Sequence, residues 1–262
     1  MKKITAQLEK IRASSRPGFM MHIVAGYPNM ESSRQIADKI LESGADFLEI
    51  QIPFSDPVAD GPIIASANEA ALANGATVNS SLDLIEDITR ATDKPVIIMS
   101  YFNIIHRYGV EAFCQKASSI GVQGLIVPDY PYDEDGDNQL INHCQKNDLA
   151  FIQVLASTTT DERMQQIAQT SSGFVYCMAR TGITGKQTSI SEETLSYLEN
   201  VRAHSELPLA VGFGISNQDQ VATLAPHAEI MIVGSALIKT YSNKTLDEGL
   251  LEIEGFIRGL TK

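Results

Sequence analysis

Short runs of apolar residues, many of them β-branched, recur along the chain and are separated by longer polar or amphipathic stretches. Runs of this kind that are bounded by glycine, proline and small polar residues predict buried β-strands. Eight of them follow one another, at residues 20–25, 47–52, 96–101, 124–128, 150–155, 174–178, 209–212 and 229–233. The sequence therefore predicts eight strands.

The second run, residues 47–52, indicates that both faces of such a strand are buried by other parts of the chain. Because side chains alternate between the two faces of a strand, Leu48 and Ile50 share one face, whereas Phe47, Glu49 and Gln51 share the other. Each face carries residues that need to be buried. Strands buried on both faces are typical of parallel sheets in α/β proteins.

The stretches between the runs show helical periodicity. Apolar side chains fall on one stripe at residues 33–43 and 110–120, and an amphipathic helix is predicted at residues 4–12, before the first strand. Three residues are predicted to cap further helices: Thr160, Ser191 and Ser216. Helices therefore alternate with strands throughout.

Eight strand–helix units in 262 residues predict an α/β fold, a (β/α)8 TIM barrel with an extra N-terminal helix, formed by a single domain over residues 1–262. A doubly wound open sheet is the alternative. The residues after the first strand, 25–28, lack the glycine fingerprint that dinucleotide-binding sheets of that class carry.

Charge and composition narrow the possible partners. With 32 acidic against 20 basic residues the net charge is −12, which opposes binding to nucleic acid or to an anionic membrane surface. Neither a signal peptide nor a membrane span is visible, so we expect a soluble, cytoplasmic protein. The spacing of the three cysteines and five histidines suggests neither disulfides nor a metal site.

In a (β/α)8 barrel, chemistry is concentrated at the carboxyl ends of the strands and in the loops that follow them. The polar candidates there are His22, Glu49, Asp60, Tyr101, Asn103, Asp129 and Tyr176. The seventh and eighth strands end in glycine-containing turns ahead of predicted helices, a pattern that favours phosphate binding, and the residues are Gly212, Gly214, Gly234 and Ser235. A long loop with two glycines, residues 180–191, is predicted to close over a ligand.

Structural explanations exist for the same residues. Glu49 is also compatible with a buried ion pair, Asp60 with a turn, and the glycines with tight connections that bind nothing. His22 and Tyr176 are compatible with interior side chains that merely have polar partners.

Several of these segments, in this order, resemble the alpha subunit of tryptophan synthase. The resemblance extends from the opening helix to the end of the chain, and its motifs are Pro-Phe-Ser-Asp-Pro (53–57), Ala-Asp-Gly-Pro (59–62), Val-Pro-Asp (127–129), Arg-Thr-Gly-Ile-Thr-Gly (180–185), Gly-Phe-Gly-Ile-Ser (212–216) and Val-Gly-Ser-Ala (233–236). It implies a lyase of tryptophan biosynthesis that cleaves indole-3-glycerol phosphate to indole and glyceraldehyde 3-phosphate without a metal or organic cofactor. It also implies a partner, the pyridoxal-phosphate-dependent beta subunit, in an αββα heterotetramer.

The resemblance also assigns roles. Glu49 corresponds to the essential acid/base, Asp60 to the carboxylate that faces the indole nitrogen, and Tyr176 to a tyrosine beside them. The remaining assignments are the phosphate-binding residues Gly185, Gly212, Gly214, Gly234 and Ser235, and the lid and pocket residues His22, Tyr101 and Thr184. The chain departs from the commonest family pattern at His22, Tyr27, Gln51, Ser157 and Ile230. None of these departures removes a catalytic residue.

Elementary chemistry agrees with acid/base catalysis. Retro-aldol cleavage needs a proton at indole C3 and a base for the glycerol hydroxyl. A Schiff-base aldolase would need a lysine at a strand end, but Lys94 precedes the third strand and Lys186 lies in the long loop. The alternatives that stay open are another phosphate-binding barrel isomerase and a non-catalytic regulatory subunit. Phe54 and Ile104, on the same rim, are predicted to be exposed and to form a docking surface.

Overall fold

The computed structural model describes residues 1–130, 139–178 and 190–261. Its strands are β1 Gly18–Val24, β2 Phe47–Gln51, β3 Val96–Met99, β4 Gly124–Ile126, β5 Ala150–Ile152, β6 Val154–Ala156, β7 Val175–Met178, β8 Leu209–Gly212 and β9 Ile230–Val233. Its helices are α1 Lys2–Ala13, α2 Met30–Glu42, α3 Pro62–Ala73, α4 Val78–Ala91, α5 Phe102–Tyr108, α6 Val110–Ser119, α7 Gln139–Lys146, α8 Asp161–Thr170, α9 Glu192–His204, α10 Gln218–Leu224, α11 Ser235–Tyr241 and α12 Leu246–Leu260. None of these described helices is long and apolar enough to cross a bilayer.

The strands form one parallel sheet in the order β5-β4-β3-β2-β1-β9-β8-β7-β6. The two ends of this order, β5 and β6, are separated in the chain by Gln153 alone, whose carbonyl accepts a hydrogen bond from the Tyr176 amide at 3.0 Å. They are two parts of one barrel strand, and the sheet closes into a barrel with eight strand positions. The predicted (β/α)8 fold and all eight predicted strands are confirmed.

The predicted helices at residues 4–12, 33–43 and 110–120 correspond to α1, α2 and α6. Thr160 and Ser191 cap α8 and α9 as predicted, by accepting hydrogen bonds from backbone amides three residues later. The prediction for Ser216 is wrong. Asn217 caps α10, because its side chain accepts from the Gln220 amide, while the Ser216 hydroxyl donates to the Gln220 side chain.

Two apolar cores follow from the alternation of side chains along the strands. One lies between the strands and the surrounding helices. The other fills the barrel interior and includes Met20, Phe47, Ile97, Phe174 and Ile230. Residues two positions further along the same strands therefore also point inward, nearer to the carboxyl ends.

Helix α1 closes the amino-terminal end of the barrel. Ile4, Leu8 and Ile11 recur along one face of this helix and belong to the interior core. Because this end is filled with apolar side chains, polar side chains inside the barrel lie toward the opposite end, where the strands terminate. The fold thus fixes which end of the barrel is open to a ligand.

The closing helix gives a prediction about stability. Ile4→Ala removes three carbons from a side chain that is 1% exposed, and the free energy of unfolding is expected to fall by about 2–5 kcal/mol. Leu251, which is 72% exposed on α12, provides the control. Leu251→Ala is expected to change the free energy of unfolding by less than about 0.5 kcal/mol. Urea unfolding followed by circular dichroism measures both. Equal small losses in the two variants would show that α1 does not contribute to the core.

Candidate active site

Glu49 and His22 form a buried pair on neighbouring strands inside the barrel. The two residues lie opposite each other in the β1–β2 register, and Nδ1 of His22 is 3.1 Å from Oε1 of Glu49. Glu49 is only 2% exposed and His22 only 5%. A carboxylate buried this deeply requires a partner, and the imidazole supplies one.

The charge of the pair depends on the protonation of His22. Burial by itself lowers the pKa of His22, but the charge of Glu49 and the hydrogen bond to it outweigh burial, with smaller contributions from Asp60 and Gln51. The pKa therefore lies above its ordinary value. The imidazolium form, which donates from both ring nitrogens, is favoured beside the carboxylate.

Three buried polar atoms in this cluster have no hydrogen-bond partner among the described residues. They are Nε2 of His22, Oε2 of Glu49 and Oε1 of Gln51. Buried polar atoms are almost always paired in folded proteins, so a group of three on adjacent strands needs an explanation. A ligand with both donors and acceptors would satisfy all three.

Asp60 lies in the loop after β2 and is held by two donors. Gln51 Nε2 is 2.7 Å and the Tyr101 hydroxyl 3.0 Å from the same oxygen, Oδ2. Among the described residues the second oxygen, Oδ1, has no such bond, which leaves it free to accept from a ligand. Burial raises the pKa of Asp60, whereas the Gln51 hydrogen bond and the charge of His22 oppose that rise.

The loop that carries Asp60 is fastened to the barrel at further points. The Ala59 amide donates to the Tyr101 hydroxyl at 3.0 Å, and the Phe54 ring stacks on the Tyr101 ring with centroids 5.2 Å apart. The Phe54 amide donates to Asn68 on α3, which also accepts from Gln51. These contacts fix the position of the Asp60 carboxylate relative to the barrel wall.

Tyr176 on β7 faces the same interior space. Its hydroxyl lies next to Gly212 at the end of β8, where a Cβ atom would be only 3.0 Å from the hydroxyl oxygen. Burial raises the pKa of Tyr176 well above its ordinary value, and the charges of Glu49 and Asp60 add to this effect. The hydroxyl therefore stays protonated at neutral pH and can donate a hydrogen bond.

Four of the predicted phosphate-binding residues, Gly212, Gly214, Gly234 and Ser235, lie at the carboxyl ends of β8 and β9. Gly214 has a φ of +68°, which favours glycine, and a Cβ atom there would meet nothing within 4 Å. Gly234 lies between the end of β9 and α11, and Ser235 is the first residue of that helix. A Cβ atom at Gly234 would lie 3.5 Å from Cβ of His22, so this turn adjoins the His22–Glu49 pair.

Not every sequence candidate belongs to this cluster. Asp129 accepts a hydrogen bond from the Phe102 amide at 2.8 Å and so fixes the start of α5. Asn103 is exposed and lines a separate cavity of about 420 Å³ between α4 and α5. Thr184 and Gly185 lie outside the described residues.

The prediction that Phe54 and Ile104 form an exposed apolar pair is wrong. Ile104 is buried, because residues 102–108 form α5 and turn Ile104 toward the core. Phe54 is half-buried against Tyr101. Within the described part of this loop the exposed large apolar side chain is Val58, which is 74% exposed.

Sequence analysis also missed Asn68. This residue is fully buried on α3 and joins Gln51 to the loop backbone at Phe54. The signal in the sequence was a lone asparagine in the alanine-rich segment 65–73, where a polar side chain is costly unless it has partners.

Comparison with known proteins agrees with the fold and identifies the family. The profile of the family described as "Tryptophan synthase alpha chain" matches residues 8–254. The tryptophan synthase alpha chain of Syntrophotalea carbinolica is 43% identical over 92% of this chain and 93% of its own length. That of Desulforapulum autotrophicum is 38% identical over 98% of this chain and 99% of its own length.

Solved structures show the same similarity. A chain in a structure of Mycobacterium tuberculosis tryptophan synthase superposes with a TM-score of 0.89 at 33% identity, covering 98% of this chain and 96% of that chain. A Pyrococcus furiosus tryptophan synthase alpha-subunit mutant superposes with a TM-score of 0.86 at 28% identity, covering 93% and 97%. Together with the sequence comparisons, they establish that the chain belongs to the tryptophan synthase alpha chain family, lyases that cleave indole-3-glycerol phosphate in tryptophan biosynthesis.

Proposed function

We propose that this chain, acting as a single barrel domain, cleaves indole-3-glycerol phosphate to indole and glyceraldehyde 3-phosphate with Glu49 as acid/base and Asp60 as its partner. One observation carries the proposal: at the open end of the barrel, Glu49 has an unpaired Oε2, and Asp60 is held in place with Oδ1 free. Two carboxylates in different environments suit two different tasks.

The proposed reaction begins at the indole ring. A proton delivered to C3 places positive charge on the ring nitrogen, and Oδ1 of Asp60 accepts the N–H and stabilises that charge. Removal of the proton from the glycerol hydroxyl next to C3 then allows the carbon–carbon bond to break. In this cycle Glu49 enters protonated at Oε2 and gives that proton to C3, and the resulting carboxylate then takes the proton of the glycerol hydroxyl, which returns Glu49 to its starting form, while Oε1 is engaged by His22.

Binding of the phosphate is assigned to the turns after β8 and β9. The net charge of −12 repels an anionic substrate, so local donors must provide the attraction. Backbone amides at Gly214, Gly234 and Ser235 can supply them, because glycine lets a ligand approach the backbone closely and the first amides of α11 have no partner within the helix. Tyr176 adds a hydroxyl donor beside Gly212, at the end of β8.

The family works with a beta subunit, and we propose an αββα heterotetramer in the cytoplasm for this chain. Support comes from the loop at residues 53–62, which presents Val58 to solvent while its backbone is tied to the site. A partner that covers Val58 would restrict the motion of the loop that holds Asp60. Such restriction increases the fraction of molecules competent for catalysis.

Glu49→Gln tests the acid/base assignment. The amide keeps the shape but cannot exchange a proton, so the turnover number is expected to fall by about 10²–10⁴ with a modest change in KM. The matched control is Glu42→Gln, the same change at an exposed position at the end of α2. Steady-state indole release measures both, and a Glu49→Gln enzyme retaining more than about a tenth of the wild-type turnover number contradicts the assignment.

Gly234→Asp tests the phosphate site. A carboxylate in the β9–α11 turn is expected to raise KM at least about tenfold through charge repulsion, which corresponds to about 1.4 kcal/mol. Gly234→Ala is the control, because its Cβ meets Ile64 at 3.4 Å and His22 at 3.5 Å, which are ordinary contacts. If both variants fold and bind the phosphorylated substrate like wild type, the phosphate is held elsewhere.

The partner provides a further test. The cognate beta subunit is expected to raise indole formation at least about tenfold, mainly in the turnover number, which needs only about 1.4 kcal/mol of coupling. Val58→Asp is expected to weaken this activation, whereas Leu251→Asp, which also places an aspartate at an exposed apolar position but on α12, is not. Assays at increasing beta-subunit concentration, with gel filtration of the mixtures, decide the matter. Equal rates with and without saturating partner exclude the coupling.

A further inference from the structure

We propose that His22 is a positioning residue of the active site: through Nδ1 it holds the Glu49 carboxylate, and through Nε2 it donates a hydrogen bond to the phosphate-bearing end of the substrate. This inference rests on the proposed function and deepens it, because it adds a residue between the proposed acid/base and the proposed phosphate site.

The contact with Glu49 supports the first part. The His22 and Glu49 side chains extend from opposed positions on adjacent strands, and the 3.1 Å distance joins Nδ1 to Oε1 alone. The carboxylate is thereby oriented with Oε2 unpaired. A donor that engages one oxygen fixes the rotation of the carboxylate and leaves the other oxygen for the proton steps.

The other edge of the imidazole supports the second part. Nε2 is buried and makes no hydrogen bond of normal geometry among the described residues, although the Gln51 side chain interacts with the imidazole. Cβ and Cδ2 of His22 are 3.5 and 3.7 Å from the position that a Cβ would occupy at Gly234, so the side of the ring that carries Cδ2, the atom bonded to Nε2, lies beside the turn before α11. A ligand group that reaches this turn comes within reach of Nε2, and an N–H there suits an anionic oxygen.

The surroundings of His22 favour its charged form. Glu49 on β2 and Asp60 in the following loop are the carboxylates that face it, while its neighbours at the β9–α11 turn and on α3, Gly234 and Ile64, carry no charge. Tyr176 interacts with both carboxylates across the barrel. The charge of Glu49 keeps the pKa of His22 above its ordinary value despite burial. The imidazolium therefore extends to higher pH than in an ordinary histidine and is lost as pH rises through that pKa.

Two substitutions separate the contacts. His22→Phe keeps a ring of similar size but removes both donors, whereas His22→Asn keeps a neutral donor near the Nδ1 position and removes Nε2 and the charge. The turnover number is expected to fall at least about tenfold in His22→Phe and to be partly restored in His22→Asn. Inhibition by inorganic phosphate is expected to weaken in both variants.

The dependence on pH distinguishes this role from a structural one. The wild-type advantage over His22→Asn in kcat/KM is expected to be greatest at low pH and to shrink as pH rises through the His22 pKa, because the charge is then lost from the wild type as well. A side chain that only fills space would give a ratio independent of pH. Imidazole NMR signals of His22, titrated in the wild type and in Glu49→Gln, give a readout without turnover, and the pKa is expected to drop in the variant.

Failure of this inference and failure of the proposed function give different experimental results. A His22→Phe enzyme within about twofold of wild type in turnover number, with unchanged phosphate inhibition, overturns the inference. So does a His22 pKa that is the same in wild type and Glu49→Gln, a result that stands even if the His22 variants do not fold. If the wild type itself releases no indole, the proposed function fails, whereas the NMR titration still decides whether the pair exists.

Discussion

Burial of the Glu49 carboxylate inside the barrel is the constraint on which the arrangement of the site depends. A carboxylate that is 2% exposed is tolerated only with a partner, and loss of one partner from a buried pair typically costs about 3–5 kcal/mol. His22 can be that partner only because the β1–β2 register places the two residues opposite each other. The hydrogen bonding of the sheet thus determines the chemistry inside it, and a shift of one residue would turn one of the pair toward the helices.

The two ends of the barrel differ in composition: one is packed with apolar side chains and the other carries the polar side chains. At one end, α1 fills the interior with isoleucine and leucine side chains. At the other end, polar side chains face one another, and two acceptors and one donor have no hydrogen bond within the part of the chain that the structure describes. Unpaired buried groups lower stability, so the close packing at the first end offsets what the second end lacks. Barrel enzymes in general separate stability from chemistry in this way.

Much of the fold and of the candidate site could be predicted from the sequence, and the wrong predictions have identifiable causes. Strand order and inward-facing positions follow from apolar runs and from the two-residue period, which is local information. The pairing of His22 with Glu49 depends on register, and the burial of Ile104 depends on how α5 turns against the core, so neither could be derived from periodicity. Asn217, and not Ser216, caps α10. Either residue type can cap a helix, and only the backbone conformation decides which of two neighbours does so.

The Asn68 side chain has a wider consequence. It accepts hydrogen bonds from Gln51, on the barrel wall, and from the Phe54 amide, in the loop that exposes Val58. One amide oxygen therefore joins the inner surface of the barrel to a segment that solvent or another protein can reach. Changes on the outside of this loop and changes in the pocket are not independent. During evolution, adaptation of this loop to a different protein surface would also have altered the surroundings of Asp60, which the same loop carries.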